Sequence, residues 1–228
     1  MTRLFSLGID PHSIDAILIS HEHADHICGV PALSRKLKIP VYANKETAKF
    51  IDRPFGLEIF GTGQEFIIGT ASIRSFGVVH DAVDPVGFTI ESDGMKFAQA
   101  TDLGKVTTVV KEALSGVNAL VLESNHDLGM LHSSDYPWQL KQRISSSHGH
   151  LSNDVAGRLL REISHPDLGP VVLGHLSENC NTPEIALRTV TRYVEEVLAP
   201  KNIICGCVAR PTPLFELGGS SALEAVGG

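Results

Sequence analysis

The chain has 228 residues, 43% of them hydrophobic and 20% charged, a composition that suits a globular protein with a core of its own. Its formal net charge of -7 excludes a wholly basic coat that holds nucleic acid by charge alone, because neutralising phosphates takes clustered Lys and Arg. No apolar run approaches the roughly 18 residues that suggest a membrane span, the start "MTRLFSLGID" has no signal-peptide pattern, and the four cysteines show neither zinc-ribbon nor CxxC spacing, so a cytoplasmic protein with reduced thiols is expected.

In chain order, "DAILIS" reads as a short buried strand that delivers His21 to a sheet edge. "GVPALSRKLK" predicts a helix from near Val30, with Pro31 in its first turn, followed by the strand "IPVYAN" and a short helix in "KETAKFI". "EFIIGTASIRSFGVVH" gives two strands around Gly69, and "VGFTIESDGMKFAQATD" gives two more joined by Asp93-Gly94, a strong hairpin signal. Then come the helix "KVTTVVKEAL", the strand "VNALVLES", and the helix "SNDVAGRLLREIS" with Ser152 or Asn153 as its cap. "PVVLGH" is a buried strand ending in His175, and "NTPEIALRTVTRYVEEVLA" is a helix capped by Thr182 with Pro183 at its first position. Hairpins precede strand–helix units without a linker, which predicts an α/β fold of two mixed β-sheets flanked by helices in one domain over 1–208, with a low-complexity tail over 209–228.

The segment "HEHADH" concentrates metal-ligand chemistry. Extended backbone places His21 and His23 on one side, where both can bind one metal, and the turn that follows lets Asp25 and His26 face a second. Imidazole with carboxylate suits zinc, manganese or iron. Glu22 and Ala24 fall on the opposite side. Three later strand-like runs also end in a ligand type, at His80, Asp102 and His175.

In this order the residues resemble the metal motifs of the metallo-β-lactamase fold, an αββα sandwich with its metal site at the sheet edges. The resemblance implies that His21, His23 and His80 hold one divalent ion, that Asp25, His26 and His175 hold another, and that Asp102 bridges them. "HDAVDPVGF", "TDLG", "LESNHD", "YPWQLKQRI", "GHLSN" and "HLSENCNTPE" are similar to the YycJ/WalJ-type branch of that family, whose members are regarded as DNA-processing exonucleases. Members of the branch carry further strands ahead of HxHxDH. Here twenty residues precede His21, so an open edge in the first sheet and a possible homo-oligomer covering it are expected.

Two metals about 3.5–4 Å apart generate a hydroxide at neutral pH and stabilise charge on the attacked group. The expected function is therefore a metal-dependent phosphodiesterase or nuclease acting on DNA from a 5′ end. Asp25 orients the nucleophile, and His150 is the first candidate for general acid, by similarity with the histidine at the matching helix start of ribonuclease Z. Glu123 or His126 would orient it or share the task. Asn125, Ser152 and Asn153 are expected against the substrate, the last two through free backbone N–H groups at a helix start. The alternative is a small-molecule ester hydrolase of the same fold, a glyoxalase II-like thioesterase or a lactonase, which explains the ligands equally well but makes no use of "ESNHD" or "GHLSN".

Overall fold

The apolar period of each segment sets its element type in the computed structural model, which describes residues 2–217. A helix α1 (Thr2–Ser6) precedes β1 (Ile17–Leu18), which is followed by α2 (Ala24–Ile27), α3 (Val30–Leu37), β2 (Pro40–Asn44) and β3 (Gly56–Phe60). The hairpins are β4 (Glu65–Ile68) with β5 (Ala71–Gly77), and β6 (Val86–Ser92) with β7 (Met95–Ala100). After them come α4 (Thr108–Leu114), β8 (Ala119–Glu123), α5 (Leu128–Ser133), α6 (Trp138–Ser145), α7 (Asn153–Ile163), β9 (Val171–Gly174), α8 (Pro183–Val194) and β10 (Ile203–Cys205). The "KETAKFI" segment forms a 3₁₀ turn over Thr47–Phe50.

The strands make two sheets. The smaller, in the order β1-β2-β3, is entirely parallel. The larger, in the order β10-β9-β8-β7-β6-β5-β4, is mixed, antiparallel from β4 to β7 and parallel from β7 to β10. Asp93 and Gly94 take φ of 51° and 75°, both left-handed, the backbone that a two-residue turn needs to match the twist of β6 and β7.

Side-chain alternation then builds the layers. One face of the large sheet presents Phe76, Ala98, Ala100, Leu120, Leu122, Val171 and Leu173 to the apolar stripes of α4, α7 and α8, where Val110, Leu114, Leu159, Leu160 and Val190 are buried. Its other face meets the small sheet through Phe60, Ile73, Val86 and Phe88, with Leu18, Tyr42 and Phe66 packed alongside. Ile19, Val41 and Ala43 face outward from the small sheet into a third cluster with Val30. The result is a helix–sheet–sheet–helix sandwich. Thr107, Ser152 and Thr182 cap α4, α7 and α8 through their side-chain oxygens.

No helix among the described residues is long and apolar enough to cross a membrane. Residues 209–217 follow β10, and the rest of the expected tail, 218–228, lies outside the described residues. At the surface, α6 opens with Trp138, which is 64% exposed.

Candidate metal centre

Parallel register brings the later candidates together. Ala100 of β7 lies opposite Leu122 of β8, which lies opposite Leu173 of β9, so the residues at and just past the ends of these three strands emerge side by side: Asp102, Glu123 with Ser124, and His175. His21 follows β1 after Ile19 and Ser20, and His80 follows β5 after Val78 and Val79. Both sheets thus empty their strand ends into one crevice.

Within it, potential ligand atoms of His21, His23 and His80 lie inside 4.8 Å of one another. The same limit holds for Asp25, His26 and His175, for His21, His26 and Asp102, and for Asp102, Glu123, His150 and His175. Asp102 touches both halves: its Oδ1 is 3.8 Å from His80 Nε2 and 3.4 Å from His175 Nδ1, and its Oδ2 is 3.5 Å from His26 Nε2. Asp102 and His175 hold φ of 58° and 55°, a left-handed backbone that is costly for residues with a Cβ and that collects at functional sites.

The outer nitrogens of the rings are held by the protein. His80 Nδ1 donates to the Gly149 carbonyl at 3.0 Å, and because a carbonyl only accepts, Nε2 of the neutral ring is left as a bare lone pair. Ser20 Oγ sits 3.1 Å from His21 Nδ1 and 3.3 Å from His26 Nδ1. Glu123 Oε1 accepts from both His150 Nδ1, at 2.8 Å, and His175 Nδ1, at 2.7 Å. This is the way that metal-binding histidines are oriented, with the ring nitrogen remote from the metal donating to oxygen. What remains is a set of buried atoms with no hydrogen-bond partner, His21 Nε2, His80 Nε2 and Asp102 Oδ2. Each such atom costs about 1–3 kcal/mol if left unsatisfied. Two imidazole lone pairs and one carboxylate oxygen, buried together, fit a divalent cation, and the wider donor set of histidines and aspartates suits zinc or manganese.

The charge environment agrees with that fit. Burial, helped by repulsion from His26 and His23, lowers the pKa of His21 to about 3, so its ring stays neutral and able to ligate. Burial also disfavours a charged His175, yet the hydrogen bond to Glu123 and the nearby Asp102 carboxylate raise it to about 9. At His175 the two carboxylates therefore outweigh burial, whereas at His21 and His80 burial prevails and favours the neutral ring. Glu123 is wholly buried, which by itself would raise its pKa, but the bonds from His150 and His175 hold it well below the usual carboxylate range.

The other expected site residues fall in different places. His150 is half-buried, its ring 5.0 Å from those of both His80 and His175, with Nδ1 on Glu123 and Nε2 left for other partners. Glu123 is an anchor: besides the two rings it accepts from the backbone N–H of Leu103 and of Leu151, and it presents nothing to a substrate. His126 is buried beside Asn125, and burial lowers its pKa to about 4. Asn125 gives Nδ2 to the His175 carbonyl at 2.9 Å and so fixes the backbone of a ligand candidate. Ser152 caps α7, and Asn153 is 0% exposed, its Oδ1 accepting from Ser124 and Asn181. Of the N–H groups at this helix start, Asn153 N donates to His126 O and Val155 N to Ser152 Oγ. The side chains of Asn125, Ser152 and Asn153 are thus all buried and hydrogen-bonded within the protein. Glu22 turns away and accepts from Val83 N.

The structure adds two residues that the sequence reading passed over. Asp81, directly after His80, reaches His80 Nε2 at 3.3 Å with Oδ1 while Oδ2 takes the guanidinium of Arg143 from α6. Gly149 supplies the carbonyl under His80, and a Cβ there would stand 2.2 Å from the carbonyl oxygens of Arg143 and Ile144, so only glycine fits the turn between α6 and His150. The position of Asp81 next to a candidate ligand was a local signal, whereas its pairing with Arg143 spans 62 residues and has none.

The sequence matches the family model of the beta-lactamase superfamily domain over residues 3–175. It is 37% identical over 191 residues to exodeoxyribonuclease YycJ of Bacillus anthracis, a match covering 81% of this chain and 72% of that one. It is also 37% identical over 202 residues to exodeoxyribonuclease WalJ of Streptococcus pneumoniae, covering 85% and 75%. Among solved structures, the metallo-beta-lactamase fold protein YhfI of Bacillus subtilis superposes with a TM-score of 0.66 at 18% identity, over 90% of this chain and 79% of that one.

Proposed function

The chain belongs to the β-lactamase superfamily, and from that premise we propose that it is a metal-dependent nuclease that hydrolyses phosphodiester bonds of DNA from a 5′ end. The observation that carries the reading is the set of orphaned, buried metal-facing atoms of His21, His80 and Asp102, in a chain whose 37% relatives are named exodeoxyribonucleases. His21, His23 and His80 would hold one divalent ion and Asp25, His26 and His175 a second, with Asp102 between them. When bound, such ions supply a nucleophile at neutral pH and neutralise charge on a phosphate.

The protein's own groups do the rest. Ser20, Gly149 and Glu123 fix the rings of the metal-facing histidines. Asp25, exposed in the first turn of α2 and 3.7 Å from His26 Nε2, would orient the attacking water. His150, held by Glu123 at Nδ1, gives the proton at Nε2 to the departing sugar oxygen, and the buried carboxylate steadies the imidazolium that donates it. The same reading places the protein with its DNA in the cytoplasm.

The alternative, a small-molecule ester hydrolase, uses the same clusters and is less supported, because the relatives matched over most of the chain are the exodeoxyribonucleases. The deciding experiment offers purified protein, with zinc or manganese, a single-stranded DNA labelled at either end, a thioester and a lactone. Chelator-sensitive shortening of DNA from the 5′ end is expected. Turnover of the thioester or lactone with intact DNA would overturn the proposal.

A further inference from the structure

One cation stands at the mouth of the crevice that neither the ligand candidates nor the proton donor employs. Arg143 leaves α6 and places both Nε and Nη2 at 2.6 Å from a single oxygen, Asp81 Oδ2. A guanidinium meeting a free carboxylate makes two parallel bonds to two oxygens. Here the second oxygen is turned away from the guanidinium, lying 3.3 Å from His80 Nε2 and 3.9 Å from His23 Nε2 without a hydrogen bond to either. The guanidinium has five N–H donors, and Asp81 takes two. The others have no second anion among the described residues, and 62% of the side chain is exposed.

The two partners also differ in freedom. Asp81 lies in a loop pinned on three sides, by Glu22 accepting from Val83 N at 2.9 Å, by Thr62 Oγ1 donating to Asp84 Oδ2 at 2.8 Å, and by the contact of its own carbonyl with His23 Nε2 at 3.2 Å. Arg143 reaches it from the outer surface of a helix on a flexible stem. The carboxylate is the fixed member and the cation is the one that can turn.

Electrostatics gives that turn a purpose. The chain carries a formal charge of -7, and the carboxylates of Asp25, Asp81 and Asp102 surround the crevice, so a polyanionic strand needs cations at the rim to seat it. Arginine keeps its charge at any working pH and matches phosphate with paired N–H groups. We infer that Arg143 clamps a phosphate of the substrate strand next to the one being cut, with Asp81 as its resting partner; the inference rests on the nuclease reading. The clamp would set which bond lies over the metal-facing atoms.

The test reads binding first. With metal-loaded protein and a hydrolysis-resistant phosphorothioate strand, anisotropy across a salt series gives the slope of log affinity against log salt. Losing one phosphate contact flattens that slope by about 0.7 for a single strand, so Arg143→Ala should show that change and Arg143→Lys should recover most of it. Kinetics then uses three substrates: a strand with a 5′ phosphate, the same strand with a 5′ hydroxyl, and bis(p-nitrophenyl) phosphate, which has one phosphate only. Arg143→Ala should raise KM on the strands about tenfold more than on the nitrophenyl ester, and kcat should move less than KM. A loss confined to the 5′-phosphorylated strand assigns the terminal monoester as the ligand, and equal losses on both strands assign an internucleotide phosphate. An unchanged salt slope, or the same KM change on all three substrates, overturns the clamp and leaves Arg143 as a support for Asp81. If the unaltered protein cuts the nitrophenyl ester and no strand, the nuclease reading fails, while the salt slope still decides whether Arg143 binds phosphate.

Discussion

Asp102 and His175 hold their left-handed backbone without the freedom of glycine. At about 1–2 kcal/mol each, such strain persists only where the surroundings impose it. Replacing Asp102 separates the two things it contributes. Asp102→Ala and Asp102→Gly should both abolish hydrolysis, but the glycine variant should be more stable than the alanine variant by about 1 kcal/mol, read by urea denaturation in chelator. Equal stabilities would mean that the backbone there is not strained. Glu123 makes a different case. Its two oxygens accept from two imidazoles and two backbone N–H groups, all donors, so the NH₂ of Glu123→Gln must face at least one of them. Breaking a buried pair of this kind costs about 3–5 kcal/mol, and the variant should melt early and lose metal together. A loss below about 1 kcal/mol would show that water reaches the site. Residue types made His21, His80, Asp102 and His175 conspicuous in the sequence, because each ends an apolar run. Burial was not legible: Asn125, Ser152 and Asn153 look alike whether they face solvent or the protein interior.

Elements with a strong period were legible, those held by distant partners much less so. The β6–β7 hairpin and α3, α7 and α8 stand where turn residues, caps and apolar stripes place them. The strands β3 and β10 are short and had no such punctuation. The helices α5 and α6 are mostly polar outside, and the second was visible only as the motif "YPWQLKQRI". At the start of α7 the buried group Ser124–Asn153–Asn181 ties β8, α7 and the loop after β9 into one unit. Ser152→Ala should cost about 1 kcal/mol as a lost cap. Asn153→Ala should cost about 1–3 kcal/mol for each partner stranded, with KM for DNA unchanged. Thermal melts and a KM measurement check both, and a raised KM at an unchanged melting temperature would return Asn153 to the substrate.

At the scale of the molecule, both sheets deliver their strand ends to one crevice, so the occupant of the crevice is coupled to the packing of the sandwich. A divalent ion present at about a thousand times its dissociation constant stabilises the native state by about 4 kcal/mol. For a chain of this size that corresponds to about 10 °C in melting temperature. Chelation should lower the melt, followed by circular dichroism, by that order and expose the strand-end loops to protease. A melt indifferent to chelator would mean that the orphaned atoms are satisfied in some other way. The choice of probe matters because of Trp138. It is the chain's only tryptophan, and its indole is already largely in water in the native state. Unfolding therefore changes its surroundings little, and emission should be nearly blind to the melting of the core. It stands five residues before Arg143 on the same helix, about 7.5 Å along the axis. Light from this one indole should thus follow α6 itself, so that a change on adding DNA reports docking beside that helix in an unmodified protein, almost free of any signal from folding.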